Sequence, residues 1–113
     1  LDGFHNIDGM KALIKSLPKN RKILICSFLK NKKYTQMLYS LSNHFNKIIV
    51  VKMNEENSIT QDLLPKYLEL YFANSLTDSF KMINKLSSNQ TTIYFGGSLY
   101  FIGEVIKLNR LKN

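Results

Sequence analysis

An α/β fold with a mostly parallel sheet, covered on both faces by helices, is predicted by two features of this 113-residue sequence. Short apolar runs rich in β-branched residues recur at Ile23-Leu24-Ile25-Cys26, Ile48-Ile49-Val50-Val51 and Thr92-Ile93-Tyr94-Phe95. Between them lie segments whose apolar residues repeat at helical spacing. Strands that are apolar throughout belong in sheets buried on both faces, and their alternation with amphipathic helices builds parallel sheets.

Each element has its own signal. The chain starts at Leu1 and not at a methionine, and Leu1-Asp2-Gly3 reads as the tail of a strand already under way. The expectation is a piece of a longer protein. Met10, Leu13, Ile14 and Leu17 fall on one helical face. Asp8 is placed to cap that helix, and Pro18 cannot continue it. The run at 23–26 is a buried strand. Tyr34, Met37, Leu38 and Leu41 form a second helical stripe, followed by the strand at 48–51. Residues 53–60 are polar and aperiodic, a loop. Thr60 is placed to cap a short helix over 61–70, with Pro65 in its first turn. Leu70 to Ala73 reads as a weak edge strand. Leu76, Phe80 and Ile83 begin a further helix, with Lys85 in its last turn. After the strand at 92–95, Gly96-Gly97 turns the chain and Ser98 caps a final helix carrying Leu99, Ile102 and Ile106. The prediction is a three-layer α/β/α, Rossmann-like domain occupying residues 1–113, without internal repeat or linker.

Composition narrows the function classes. Hydrophobic residues make up 44% and charged residues 21%, ordinary for a globular chain. The longest apolar runs are four to five residues, too short to span a membrane. The net charge of +8 invites a nucleic-acid partner. Against it, Arg occurs only at Arg21 and Arg110, the lysines are scattered, and the one tight cluster is Lys30, Lys32 and Lys33. A mild attraction for anionic ligands is expected instead. The single cysteine, Cys26, lies in an apolar run and reads as a buried, inert thiol. The lack of a disulfide framework fits the cytosol. Tyr67, Tyr71 and Phe72 read as core or interface packing. The sequence contains no P-loop, no paired Cys/His zinc spacing and no Ser–His–Asp arrangement.

In such folds ligands gather at the carboxyl ends of the strands. Three strand-to-helix junctions are therefore candidates. The first, Asp2-Gly3-Phe4-His5-Asn6, sets a carboxylate, an imidazole and an amide within five residues. Asp accepts from ribose hydroxyls, and His and Asn donate to phosphate or carboxylate oxygens. The same residues also serve as plain turn formers. The second, Ser27 to Tyr34, carries the lysine cluster, which either meets phosphates or is solvated. The third, Gly96-Gly97-Ser98, puts a flexible turn and a hydroxyl at a helix N-terminus, either an anion site or an ordinary capped turn. The spacing Gly96, Gly97, Gly103 does not match the dinucleotide fingerprint.

Leu-Asp-Gly-Phe-His-Asn at 1–6, followed by Gly9-Met10-Lys11-Ala12-Leu13, resembles the DGAHN-x-x-G stretch that opens the C-terminal domain of folylpolyglutamate synthases. Gly97-Ser98-Leu99-Tyr100-Phe101-Ile102-Gly103-Glu104-Val105 resembles that family's GSLY-x-x-G-x-V helix start. Phe28-Leu29-Lys30-Asn31-Lys32-Lys33-Tyr34 is similar to its central DKD loop. The three segments stand in the family's order, so the resemblance covers nearly the whole chain. The wider group is the Mur ligase superfamily. Four positions depart from the pattern. Phe4 replaces a small residue and Ile7 a proline, which is expected to loosen the turn. Asn31 and Lys33 stand where the family prefers acids.

The resemblance implies an ATP-dependent ligase that adds L-glutamate to folate, shared with bifunctional dihydrofolate synthases. ATP phosphorylates a folate carboxylate, the glutamate amine attacks the acyl phosphate, and phosphate leaves. It implies that ATP, Mg2+ and most of the folate are held by a preceding P-loop domain, over which this domain closes. Asp2, His5 and Asn6 would meet the nucleotide, and His5 and Ser98 the glutamate. No catalytic or metal-binding residue is implied in this chain, which would be inactive alone. A cytoplasmic monomer with no nucleic-acid or membrane partner is expected. Two other readings remain open: a stand-alone Rossmann-like nucleotide-binding module, which would bind ATP unaided, and a basic interaction module, which would bind nucleic acid with steep salt dependence.

Overall fold

The structure, a computed structural model, describes residues 3–4, 6–88 and 90–112. In chain order the elements are β1 (Gly3–Phe4), α1 (Ile7–Ser16), β2 (Lys22–Ser27), α2 (Tyr34–Ser42), β3 (Lys47–Val51), β4 (Tyr71–Ala73), α3 (Leu76–Leu86), β5 (Thr92–Gly97) and α4 (Leu99–Lys112). The five strands form one sheet in the order β1-β5-β2-β3-β4, and every pairing is parallel.

The apolar runs are apolar throughout because both faces of the sheet are covered. All six residues of β2 are buried. Leu24, Cys26, Val50 and Tyr94 point into one core with Met10 of α1 and Leu38 and Leu41 of α2. Ile23, Ile25, Ile49 and Val51 point into the other with Leu76 of α3 and Phe101 and Val105 of α4. This is the three-layer α/β/α arrangement the sequence predicts.

Local chemistry sets the ends of the helices, and several differ from expectation. Asn6, not Asp8, caps α1. Its backbone is extended (φ −147°) and its Oδ1 accepts from the Gly9 N–H at 2.7 Å. Asp8 already lies inside the first turn, where its charge meets the helix dipole without closing a cap. Ser75 caps α3 by accepting from the Asp78 N–H at 3.1 Å. The helix expected over 61–70 shrinks to a single 3-10 turn, Gln61–Leu63. The Thr60 hydroxyl bonds the Asp62 carboxylate at 2.5 Å and makes no cap. Pro65 holds the preceding Leu64 extended (ψ 138°), which stops propagation. Tyr67 is 68% exposed, its ring 6.4 Å from that of the 57% exposed Tyr39, so it is not core packing. Tyr71 and Phe72 are half-buried against the two cores. On α4 the buried face is Phe101 and Val105, while Leu99 and Ile106 face outward at 64% and 39% exposure.

Two glycines let β5 lie close to its neighbours. A Cβ on Gly96 would overlap the buried Phe4 ring. Gly97 has φ +110°, which L side chains rarely adopt, and a Cβ there would overlap the Ser27 carbonyl oxygen. Phe4 fills the space that Gly96 leaves open.

Residues 1–113 expressed alone are expected to give a dispersed amide NMR spectrum, since both cores close within the chain; a collapsed spectrum at neutral pH would contradict this. Gly96→Ala should cost about 1–3 kcal/mol by forcing the Phe4 ring aside. In a Phe4→Ala background that cost should fall by at least about 1 kcal/mol, because the two positions share one volume. Urea melts of the four proteins measure the coupling, and additive values would refute it.

Candidate functional site

Because all strands are parallel, their carboxyl ends share one edge. There β1 and β2 lead to α1 and α2 on one face, while β5, lying between them, leads to α4 on the other. The diverging chains leave a cleft of about 670 Å³. Open α/β sheets take their ligands at such a switch point. Phe28, Leu29 and Met37 give the cleft an apolar floor. Ile7, Leu99 and Tyr100 form an apolar rim, 41%, 64% and 58% exposed. Asn31, Lys32, Lys33 and Ser98 supply the polar lining.

The wall after β2 is tied down through its backbone. The Lys30 N–H donates to the Asn57 carbonyl at 2.8 Å, and the Ile59 N–H to the Phe28 carbonyl at 2.8 Å. Leu29 and Ser58 form an isolated antiparallel bridge between them. The loop after β3 is closed in turn by Ser58, whose buried hydroxyl accepts from Met53 N–H at 2.8 Å and donates to the Ile59 carbonyl at 3.0 Å. The Glu104 carboxylate of α4 accepts from the Asn54 N–H at 3.3 Å. Loops that were aperiodic in sequence are thus rigid by mutual hydrogen bonding.

The wall after β5 starts from Ser27. Its carbonyl accepts the Ser98 N–H at 2.9 Å, and its own hydroxyl donates to the Val51 carbonyl. Ser98 Oγ accepts from the Tyr100 N–H at 3.1 Å, so the serine caps α4 while its side chain lines the cleft. Asn6, one residue before the lining Ile7 and not itself in the cleft lining, uses its Oδ1 on Gly9, which leaves the amide N–H2 as a donor for oxygens. Asp2 and His5 lie outside the described residues. Since β1 pairs directly with β5, the turn after β1 and Ser98 are neighbours across the sheet edge, and Ile7 and Ser98 line one cleft.

Sequence reasoning missed the apolar lining. Leu99 and Tyr100 carried no separable signal, because the first turn of α4 is apolar all round. Phe28 and Met37 carried none, since a core residue and a cleft floor look alike in sequence. Among the described residues no three His, Cys, Asp or Glu side chains converge as for a metal ion. No described helix is long and apolar enough to cross a membrane.

No family model and no curated protein sequence matches the chain. Solved structures do. The bifunctional folylpolyglutamate synthase/dihydrofolate synthase of Yersinia pestis, complexed with AMPPNP and a manganese ion, superposes with a TM-score of 0.82 at 15% identity, over 97% of this chain and 28% of its own. Escherichia coli FolC in complex with ADP gives 0.79 at 18% identity, over 96% and 28%. Mycobacterium tuberculosis folylpolyglutamate synthase complexed with ADP gives 0.77 at 19% identity, over 96% and 29%. At these identities the likeness is one of fold. The chain spans under a third of each of these proteins.

Cys26 sits on β2 opposite Gly96, fully buried, and burial pushes its thiol well up from its ordinary range. The folded protein therefore keeps this proton at pH values where the unfolded chain releases it, above about pH 8.5. The native state then binds more protons than the unfolded one. Stability should be unaffected by this group below that pH and fall above it by about 1.4 kcal/mol per unit. Denaturation between pH 7 and 10 should show this slope, and Cys26→Ala should remove it. An identical slope in the variant would refute the assignment.

Proposed function

We propose that this chain is the C-terminal closing domain of an ATP-dependent folate–glutamate ligase of the folylpolyglutamate synthase kind, acting as a cytoplasmic monomer. One observation carries the reading: the cleft at the switch point is lined by Ile7, by Phe28, Leu29, Asn31, Lys32 and Lys33, and by Ser98, Leu99 and Tyr100, which fall within or beside the three segments that resemble that family. The fold likeness to such enzymes over nearly the whole chain supports it. A bifunctional folylpolyglutamate synthase/dihydrofolate synthase has also been solved with manganese, AMPPNP and L-glutamate bound. A bifunctional dihydrofolate synthase, which makes the same amide bond on a shorter acceptor, is covered by the same reading.

The division of labour follows from the residues present. Without a P-loop, this chain does not hold the transferring phosphate. By the resemblance, magnesium would be held by the preceding domain. This domain's work is to close. The exposed apolar rim of Ile7, Leu99 and Tyr100 is covered when the cleft meets the preceding domain, and water is excluded from an acyl phosphate that it would hydrolyse. Asp2 then accepts from the ribose, and His5 and Asn6 donate to phosphate oxygens. His5 and the Ser98 hydroxyl orient the incoming glutamate, whose amine attacks the acyl carbon.

In the full-length enzyme His5→Ala and Ser98→Ala should each lower kcat/KM for glutamate roughly ten- to a hundredfold, the worth of one hydrogen bond to a charged group. Asp2→Ala should act on the KM for ATP. Ser98→Ala should also cost about 1 kcal/mol of stability as a lost cap, while Ser98→Asp should restore the cap without restoring ligation. Unchanged glutamate dependence in both alanine variants would overturn the proposal, as would folate- and glutamate-dependent phosphate release by residues 1–113 alone.

A further inference from the structure

We infer that Lys32 and Lys33 read the charge of a growing γ-glutamyl tail, favouring substrates that already carry several carboxylates; this rests on the ligase reading. Both lysines are exposed and line the cleft, and among the described residues no Asp or Glu lines it with them. The floor of Phe28, Leu29 and Met37 cannot solvate a charge, so an anionic group entering the cleft must settle at the rim. The first turn of α2, which follows directly, contains no acid, and Lys33 at its N-cap makes no side-chain capping bond. Nothing in the adjoining turn neutralises the pair.

The lysines are also presented on a fixed backbone. The Lys30 and Ile59 N–H bonds and the Leu29–Ser58 bridge hold the loop against residues 57–59. A loop already ordered loses less freedom when a ligand binds. Ser98 lines the opposite wall of the same cleft, and on the ligase reading the new glutamate is joined beside it. Glutamates added earlier trail away from that point, each bringing one carboxylate on a neutral amide backbone. Repeated carboxylates are the chemistry a pair of adjacent cations distinguishes. Clustered phosphate oxygens of the nucleotide share it, and the test separates the two sources.

The experiment uses the full-length enzyme, wild type and the Lys32→Gln/Lys33→Gln double variant. It measures kcat/KM for a folate with a single glutamate and for one with several γ-linked glutamates, together with the KM for ATP. The long-to-short ratio should fall about three- to tenfold in the double variant, two exposed ion pairs' worth. Lys32→Arg/Lys33→Arg should retain the wild-type ratio. Raised salt should lower that ratio in the wild type and leave the glutamine variant unmoved. An unchanged ratio with intact ligation overturns this inference and leaves the ligase reading standing. A change confined to the KM for ATP assigns the lysines to the nucleotide and overturns it equally. Absence of ligation by the wild-type full-length protein overturns both.

Discussion

Gly97 lies with its Cα against the Ser27 carbonyl, at a backbone angle that glycine tolerates, and the Ser98 N–H bonds that same oxygen. This contact joins the end of β5 to the end of β2. It also aims α4 away from the face that α1 and α2 occupy. Any side chain at Gly97 would push the two strand ends apart, and with them the walls of the cleft. Gly96 makes the matching approach on the other side, where Phe4 of β1 covers it. Three strands that lead to opposite faces are thereby held together at one edge, and the cleft is the space their divergence leaves.

The two ends of the sheet treat polar groups differently. At the amino end most are closed internally, although the buried Asn20 Oδ1 has no hydrogen-bond partner among the described residues. The Lys22 ammonium, although on a buried residue, donates to the carbonyls of Pro18 and Asn20 at 2.6 Å each. Asn46 accepts from the Lys22 N–H at 2.8 Å, and the Asn20 amide reaches Thr92 at 2.6 Å. Such pairing is what burial demands of polar groups. At the carboxyl end the backbone is closed just as thoroughly, through Ser27, Ser58 and Glu104, but Lys32 and Lys33 stay exposed. A rigid frame carrying solvent-facing cations beside an apolar floor suits a ligand that has both an apolar body and negative charge.

Much of this frame was legible because its causes are local. The runs at 23–26, 48–51 and 92–95 are apolar at every position, and in a chain this short such runs fit only strands buried on both faces. Asn6 and Asp8 are both good capping residues, and only the backbone turn decides that Asn6 stands just outside the helix. The helix expected over 61–70 failed for an identifiable reason: Pro65 acts on Leu64 from one residue beyond the turn, and the Thr60 hydroxyl found Asp62 first. On α4 the expected stripe of Leu99, Ile102 and Ile106 holds at Ile102, which packs against the core, but not at Leu99 and Ile106. Its first turn is apolar all round, so spacing alone could not separate the face toward the sheet, Phe101 and Val105, from the face toward the cleft, Leu99 and Tyr100.

The sequence by itself determined the layers, the parallel sense of the sheet and the edge where a ligand would gather, because hydrophobic period and strand–helix alternation leave few other solutions. It also marked Ser98 and the lysine loop as candidates. Only the tertiary structure decided that β5 inserts between β1 and β2, since strand order depends on which crossovers can pack and not on any local signal. That insertion brings the start of α1, the loop after β2 and Ser98 around one cleft. It also turns Phe28, Leu29 and Met37 from generic apolar residues into its floor, because what a side chain faces is set by the strands beside it.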